Sequence, residues 1–153
     1  MTGPKKAKTV LVVDDTIRIL EITRYFLEQE GYAVVTTPDP VKGLEIARLG
    51  GIDVVILDIM MPGMNGYQVA EALQGDEKTR TIPIIMLTAK AVIEHTPKTF
   101  FYGMYGVMSK PFQRATLIRK VNEILELTAM QKEAEQKEQA EPLDPDNTPT
   151  TKL

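Results

Sequence analysis

VVILDIMMPGMNG, Val54 to Gly66, is the stretch on which the reading of this chain turns. Four apolar residues run into one carboxylate, Asp58, and a Met-rich turn with Pro62, Gly63 and Gly66 follows at once. A short apolar run without alternation reads as a strand buried on both faces, as in a parallel sheet covered by helices. The strand delivers an acid to its C-terminal tip. Taken alone, that acid is either a nucleophile or a turn residue, because Asp after a strand commonly turns or caps the chain.

Upstream, Val10 to Val13 repeats the pattern and ends in Asp14-Asp15. Thr16 to Glu30 then has helical spacing: Ile19, Ile22 and Phe26 form a stripe that Leu20 and Leu27 widen. Asp15 or Thr16 can cap this helix and Gly31 can end it. Tyr32 to Thr37 reads as a second strand. Asp39 before Pro40 is an N-cap followed by an N1 proline, opening a helix to about Leu49.

Downstream, Asn65 or Gly66 starts a helix with Val69, Ala70 and Leu73 inward. Ile82 to Leu87 reads as a fourth strand, ending at Thr88. The segment Val92 to Tyr102 contains Pro97, which is poorly tolerated in a helix interior. A short helix capped by Thr96 and starting at Pro97, after an irregular lead-in, is the expectation. Val107 to Ser109 is a short fifth strand, ending at Lys110-Pro111. The last helix starts near Gln113 with Leu117, Val121, Ile124 and Leu125 inward. The apolar stripe fades past Leu127. Residues 128–141 read as a polar helical extension, with Glu133 and Lys137 at a favourable i,i+4 spacing. Residues 142–153, rich in Pro, Thr and Asp, read as a disordered tail.

Five strand–helix alternations imply an α/β fold, a doubly wound parallel sheet with helices on both faces. In such sheets the ligand site lies beyond the carboxyl ends of the strands. That rule gathers Asp14, Asp15, Asp58, Thr88 and Lys110. Clustered carboxylates repel one another, and a hard divalent cation relieves the repulsion. Mg²⁺ takes oxygen ligands, whereas the absence of Cys and the single His argue against zinc or copper. An oxygen nucleophile, a metal and charge-neutralising donors are the inventory of phosphoryl transfer. Each residue singly is an ordinary cap or a solvated side chain. Their joint placement favours a site, because caps have no reason to include a lysine after strand five.

Composition is that of one ordinary globular domain, and a net charge of −3 supplies no general drive toward nucleic acid. The first apolar run is too short for a signal-peptide core or a membrane span. A cytoplasmic protein without nucleic-acid or membrane partners is therefore expected.

The motifs VLVVDD (Val10 to Asp15), LDIMMPGMNG (Leu57 to Gly66), MLTA (Met86 to Ala89) and SKPF (Ser109 to Phe112) resemble the receiver domain of bacterial two-component response regulators. The resemblance covers residues 8–127 and is closest to the stand-alone, CheY-like type. It implies a flavodoxin-like sheet of five strands in the order 2-1-3-4-5. It further implies Asp58 as phosphoacceptor, with Thr88 and Lys110 contacting the phosphoryl group. Asp14, Asp15, Asp58 and the backbone carbonyl of Met60 would ligate Mg²⁺. The Lys110–Pro111 peptide would be cis. Phosphate would come from a sensor histidine kinase or a phosphotransfer protein. The protein would catalyse only its own phosphorylation and dephosphorylation, so it would not be an enzyme on another substrate.

The output region departs from the family pattern. Receivers usually carry Tyr or Phe three residues before the lysine, and here that position is Val107. Tyr105 and Phe100-Phe101-Tyr102 are the nearest aromatics. Only 26 residues follow Leu127, so signalling is expected through phosphorylation-dependent binding of a downstream protein. A homodimer through the helix 4–strand 5–helix 5 face is a second route. Two alternatives stand beside this. One is a receiver-fold interaction module that works without phosphorylation. The other is a haloacid-dehalogenase-type hydrolase, which needs a second acid two residues past the nucleophile, where this chain has Met60.

Overall fold

A computed structural model describes residues 6–96 and 106–140, with side chains through 138. Five strands, β1 (Thr9–Val13), β2 (Ala33–Thr37), β3 (Val54–Asp58), β4 (Ile84–Ala89) and β5 (Gly106–Lys110), alternate with five helices. The helices are α1 (Ile17–Gln29), α2 (Pro40–Arg48), α3 (Gly66–Gly75), α4 (Lys90–His95) and α5 (Arg114–Ala140). All four strand pairings are parallel and the order is β2-β1-β3-β4-β5. This is the sheet the motifs imply.

Alternation along the strands splits the interior in two. Val10, Val12, Val54, Ile56 and Met108 point to one side, where Leu20 and Leu27 of α1 and Leu117, Val121 and Ile124 of α5 cover them. Leu11, Val13, Val55, Leu57 and Met86 point to the other, under Leu44 and Ala47 of α2 and Val69, Ala70 and Leu73 of α3. With both faces covered, the central strands β1 and β3 have no polar face, which explains their unbroken apolar runs.

Local chemistry sets the helix ends. Asp39 Oδ1 accepts the Val41 amide at 2.9 Å, and Pro40 occupies the first helical position of α2. Removing this cap by Asp39→Ala is expected to cost about 1 kcal/mol in a urea melt. Asn65 and Gln68 form a reciprocal capping box at α3. Gly31, after α1, takes φ +91°, which a side chain would resist.

Several expectations are corrected. Ile22 is exposed and Thr23 is buried instead, because the inward face of α1 lies one position round from the apolar stripe. Thr16 starts α1 without a side-chain cap, and Asp14 Oδ1 takes the Thr16 amide at 2.9 Å. β4 begins after Pro83, whose ring has no amide to donate, although its carbonyl accepts the Val55 amide at 3.0 Å. Thr88 and Lys110 lie inside their strands rather than after them. The stretch from Val92 up to Pro97, expected as an irregular lead-in, lies largely in the helix Lys90–His95, and Thr96 ends this helix rather than starting one. The helix expected from Pro97, with Phe100, Phe101, Tyr102 and Tyr105, lies outside the described residues. α5 runs unbroken from Arg114 to Ala140, and all its described side chains beyond Thr128 are exposed. No helix among the described residues is long and apolar enough to cross a membrane.

Candidate functional site

Strand register brings the acids together. Val13 pairs with Leu57, so Asp14, just past β1, and Asp58, the last residue of β3, come side by side at the carboxyl edge of the sheet. Both continue the row that faces α1 and α5, in step with Val12 and Ile56. Lys110, in step with Met108, comes from the same side of β5. The side chains of Asp14 and Asp58 are buried, and Asp15 is exposed. Ligand oxygens of these three acids all lie within 4.8 Å of one another.

Lys110 bridges the buried pair. Its Nζ lies 2.7 Å from Asp14 Oδ2 and 3.3 Å from Asp58 Oδ2. The Asp14 contact is close but poorly directed, so Asp14 Oδ2 is buried without an aligned donor. The Met60 amide donates to Asp58 Oδ1 at 3.3 Å. Burial pushes the Asp58 carboxyl up to about 6, and the adjacent Asp14 charge adds to the rise. Lys110 and the Met60 amide oppose it without cancelling it. Burial alone would lower the pKa of Lys110; its attraction to Asp14, and then to Asp58, holds it above the ordinary value.

Thr88 lies on β4 one residue beyond the partner of Asp58, which is Leu87. Its hydroxyl is buried and has no hydrogen-bond partner. An orphaned buried hydroxyl costs free energy unless a ligand completes it. A phosphoryl oxygen would satisfy Thr88, and a cation would satisfy Asp14 Oδ2. The donor set is all oxygen, which fits Mg²⁺, and exposed Asp15 leaves a side open to the waters that Mg²⁺ keeps. The Lys110–Pro111 peptide is cis.

Three contacts at the site are set by the tertiary structure. Asp14 serves the α1 turn as well as the acid cluster. Gly66 packs its Cα against the acceptor backbone: a Cβ there would lie 2.3 Å from the Asp58 carbonyl oxygen. Val107 is half-buried and packs on the α2–α3 side of the core, so the usual aromatic position is filled by core. Each residue carried a signal in the sequence, Asp14 as a possible cap, Gly66 in the motif and Val107 at the usual aromatic position, but the contacts themselves did not. His95 is exposed, and its Nδ1 lies 2.8 Å from the Ala91 carbonyl.

Residues 10–122 match the family described as the response regulator receiver domain. The chain is 33% identical over 119 residues to the DNA-binding dual master transcriptional regulator RpaA of a Synechocystis strain, covering 78% of this chain and 49% of that protein. It thus spans about half the length of the curated relatives it matches. Among solved structures, the Vibrio cholerae chemotaxis protein CheY4 superposes with a TM-score of 0.71 at 31% identity, covering 78% of this chain and 99% of that one. The receiver domain of the Pseudomonas aeruginosa sensor histidine kinase PA1611, solved with a magnesium ion in its active-site cleft, superposes at 0.70 with 25% identity. That match covers 78% of this chain and 98% of the other. Fold, motifs and relatives agree: the chain belongs to the response regulator receiver domain family, the phosphoryl-accepting proteins of two-component signalling.

Proposed function

We propose that the protein acts as a response regulator receiver that accepts a phosphoryl group on Asp58 and signals by phosphorylation-dependent protein binding. The observation that carries this is the buried Asp14–Asp58–Lys110 cluster beside the partnerless Thr88 hydroxyl. A carboxyl titrating at about 6 is ionised at neutral pH yet poorly solvated, and so available as a nucleophile. Asp58 supplies the attacking oxygen. As its bond to phosphorus forms, the phosphorus–nitrogen bond of a donor phosphohistidine breaks and the electron pair leaves on the imidazole. Lys110 neutralises charge on the transferred group and Thr88 donates a hydrogen bond to it. Asp14, Asp15, Asp58 and the Met60 carbonyl would hold Mg²⁺, which supplies further charge neutralisation when bound. The donor is a histidine kinase or a phosphotransfer protein.

The experiment is intact-mass spectrometry after incubation with Mg²⁺ and acetyl phosphate. One added phosphoryl group is expected in the wild type and none in Asp58→Asn. An unmodified wild type, or a modified Asp58→Asn, defeats the proposal. Val107 supports a second reading, an interaction module indifferent to phosphorylation, because a half-buried valine has no ring to swing between buried and exposed positions. In that case a partner captured by the wild type would bind Asp58→Asn equally well under phosphorylating conditions.

A further inference from the structure

Helix α4 is weakly anchored. None of Lys90–His95 is buried, and within the helix Val92 is the residue that packs on the core. At one end the helix follows directly on Thr88 and Ala89 of β4. At the other end it carries a polar tie. Thr96 is 8% exposed. Its hydroxyl donates to the Val92 carbonyl at 2.6 Å, satisfying an acceptor of the last turn. The same oxygen lies against the Tyr67 hydroxyl. The single Thr96 proton is committed to Val92, so Tyr67 must be the donor in this pair. The result is a two-bond relay from Tyr67 through Thr96 to the backbone of α4.

The base of Tyr67 is as well fixed as its tip. Tyr67 follows Gly66, whose Cα touches the Asp58 backbone, and sits inside the Asn65–Gln68 capping box. The Gly66 amide also bonds the Ile59 carbonyl at 2.8 Å. One tyrosine therefore ties the turn after Asp58 to the far end of α4, while Thr88 leads into its near end. We infer that the Tyr67 hydroxyl is a latch: it holds the C-terminal end of α4 against α3 in the unphosphorylated protein, and a phosphoryl group on Asp58 acts on α4 by releasing it. The second half rests on the phosphoacceptor reading of Asp58; the first half does not.

Hydrogen exchange at residues 90–96 tests both. Loss of one net hydrogen bond of about 1 kcal/mol corresponds to roughly fivefold faster opening. In the unphosphorylated protein, Tyr67→Phe is expected to speed exchange in 90–96 by about that factor and to leave 17–29 unchanged. Thr96→Val, which also leaves the Val92 carbonyl without its donor, should speed exchange at least as much, Thr96→Ser should match the wild type, and Tyr67→Phe placed on Thr96→Val should add nothing further to Thr96→Val. With Mg²⁺ and acetyl phosphate, the wild type should approach the exchange of Tyr67→Phe, and Tyr67→Phe itself should change little. Exchange in 90–96 that is unaffected by Tyr67→Phe, or accelerated equally in 17–29, overturns the latch. A phosphorylation response in Tyr67→Phe as large as in the wild type overturns the coupling. A wild type that gains no phosphoryl mass defeats the acceptor reading, with the latch still decided by the unphosphorylated comparison.

Discussion

Lys110→Met is expected to destabilise the Mg²⁺-free protein by about 2–3 kcal/mol at pH 7.5 and by clearly less at pH 5. Removing one partner of a buried ion pair typically costs about 3–5 kcal/mol, because the other charge is left behind. Two carboxylates are left behind here, but the Lys110 side chain is 21% exposed, so water recovers part of the loss. The pH dependence follows from Asp58. Its folded-state value of about 6 lies above the ordinary 3.8, so the folded protein binds the extra proton between those values. Stability therefore falls as pH rises through that window and is lowest once Asp58 is ionised. Without Lys110 the Asp58 value moves higher still and the loss at neutral pH deepens. At pH 5, inside that window, the folded-state Asp58 is mostly neutral, so less unpaired charge is left behind. Urea melts at pH 5 and pH 7.5 read the difference, and equal losses at the two pH values would contradict the geometry. Phosphoryl uptake from acetyl phosphate at pH 7.5 should fall by roughly 100-fold, the usual cost of one charge-stabilising donor.

Gly66→Ala should cost about 3 kcal/mol or more and lower the melting temperature by roughly 10 °C. The added Cβ would lie 2.3 Å from the Asp58 carbonyl oxygen, 2.6 Å from the Ile59 Cα and 3.0 Å from the Asp58 carbonyl carbon. All three are backbone atoms, so no rotamer change relieves the clash. The first turn of α3 must retreat, straining the Gly66–Ile59 hydrogen bond. Gly75→Ala, at the other end of α3 with nothing within 4 Å, is the control and should be neutral or stabilising. Because the clash falls on the acceptor residue itself, uptake should drop with stability, on the order of 10²-fold for a displacement of about 1 Å. A folded Gly66→Ala of wild-type stability would show that the α3 turn is looser than its contacts imply.

Much of the architecture was legible in the chain. Unbroken apolar runs such as Val10–Val13 and Val54–Leu57 call for a sheet covered on both faces, and acids, a hydroxyl and a lysine at the strand ends mark its functional edge. Errors came where a neighbour overrides a local pattern. Ile22 fits the helical stripe of α1, yet Thr23 is the residue turned to the core. Pro97 suggested an irregular stretch before it, yet Lys90–His95 closes one helical turn that Thr96 finishes. Val107 read as a missing switch, and its packing against the core gives the reason a ring is not needed to fill that space.

Asp58 and the turn that follows it were fixed in kind by local sequence: a buried strand, a terminal carboxylate, and a glycine where α3 begins. Only the tertiary structure decided the company that Asp58 keeps. Parallel register sets Asp14 beside it, and β5 carries Lys110 to within 3.3 Å from 52 positions further along the chain. The physical reason is that charge interactions depend on distance and burial. Neither is encoded in the spacing of residues along the chain, and both are set when the strands pair and the helices exclude water.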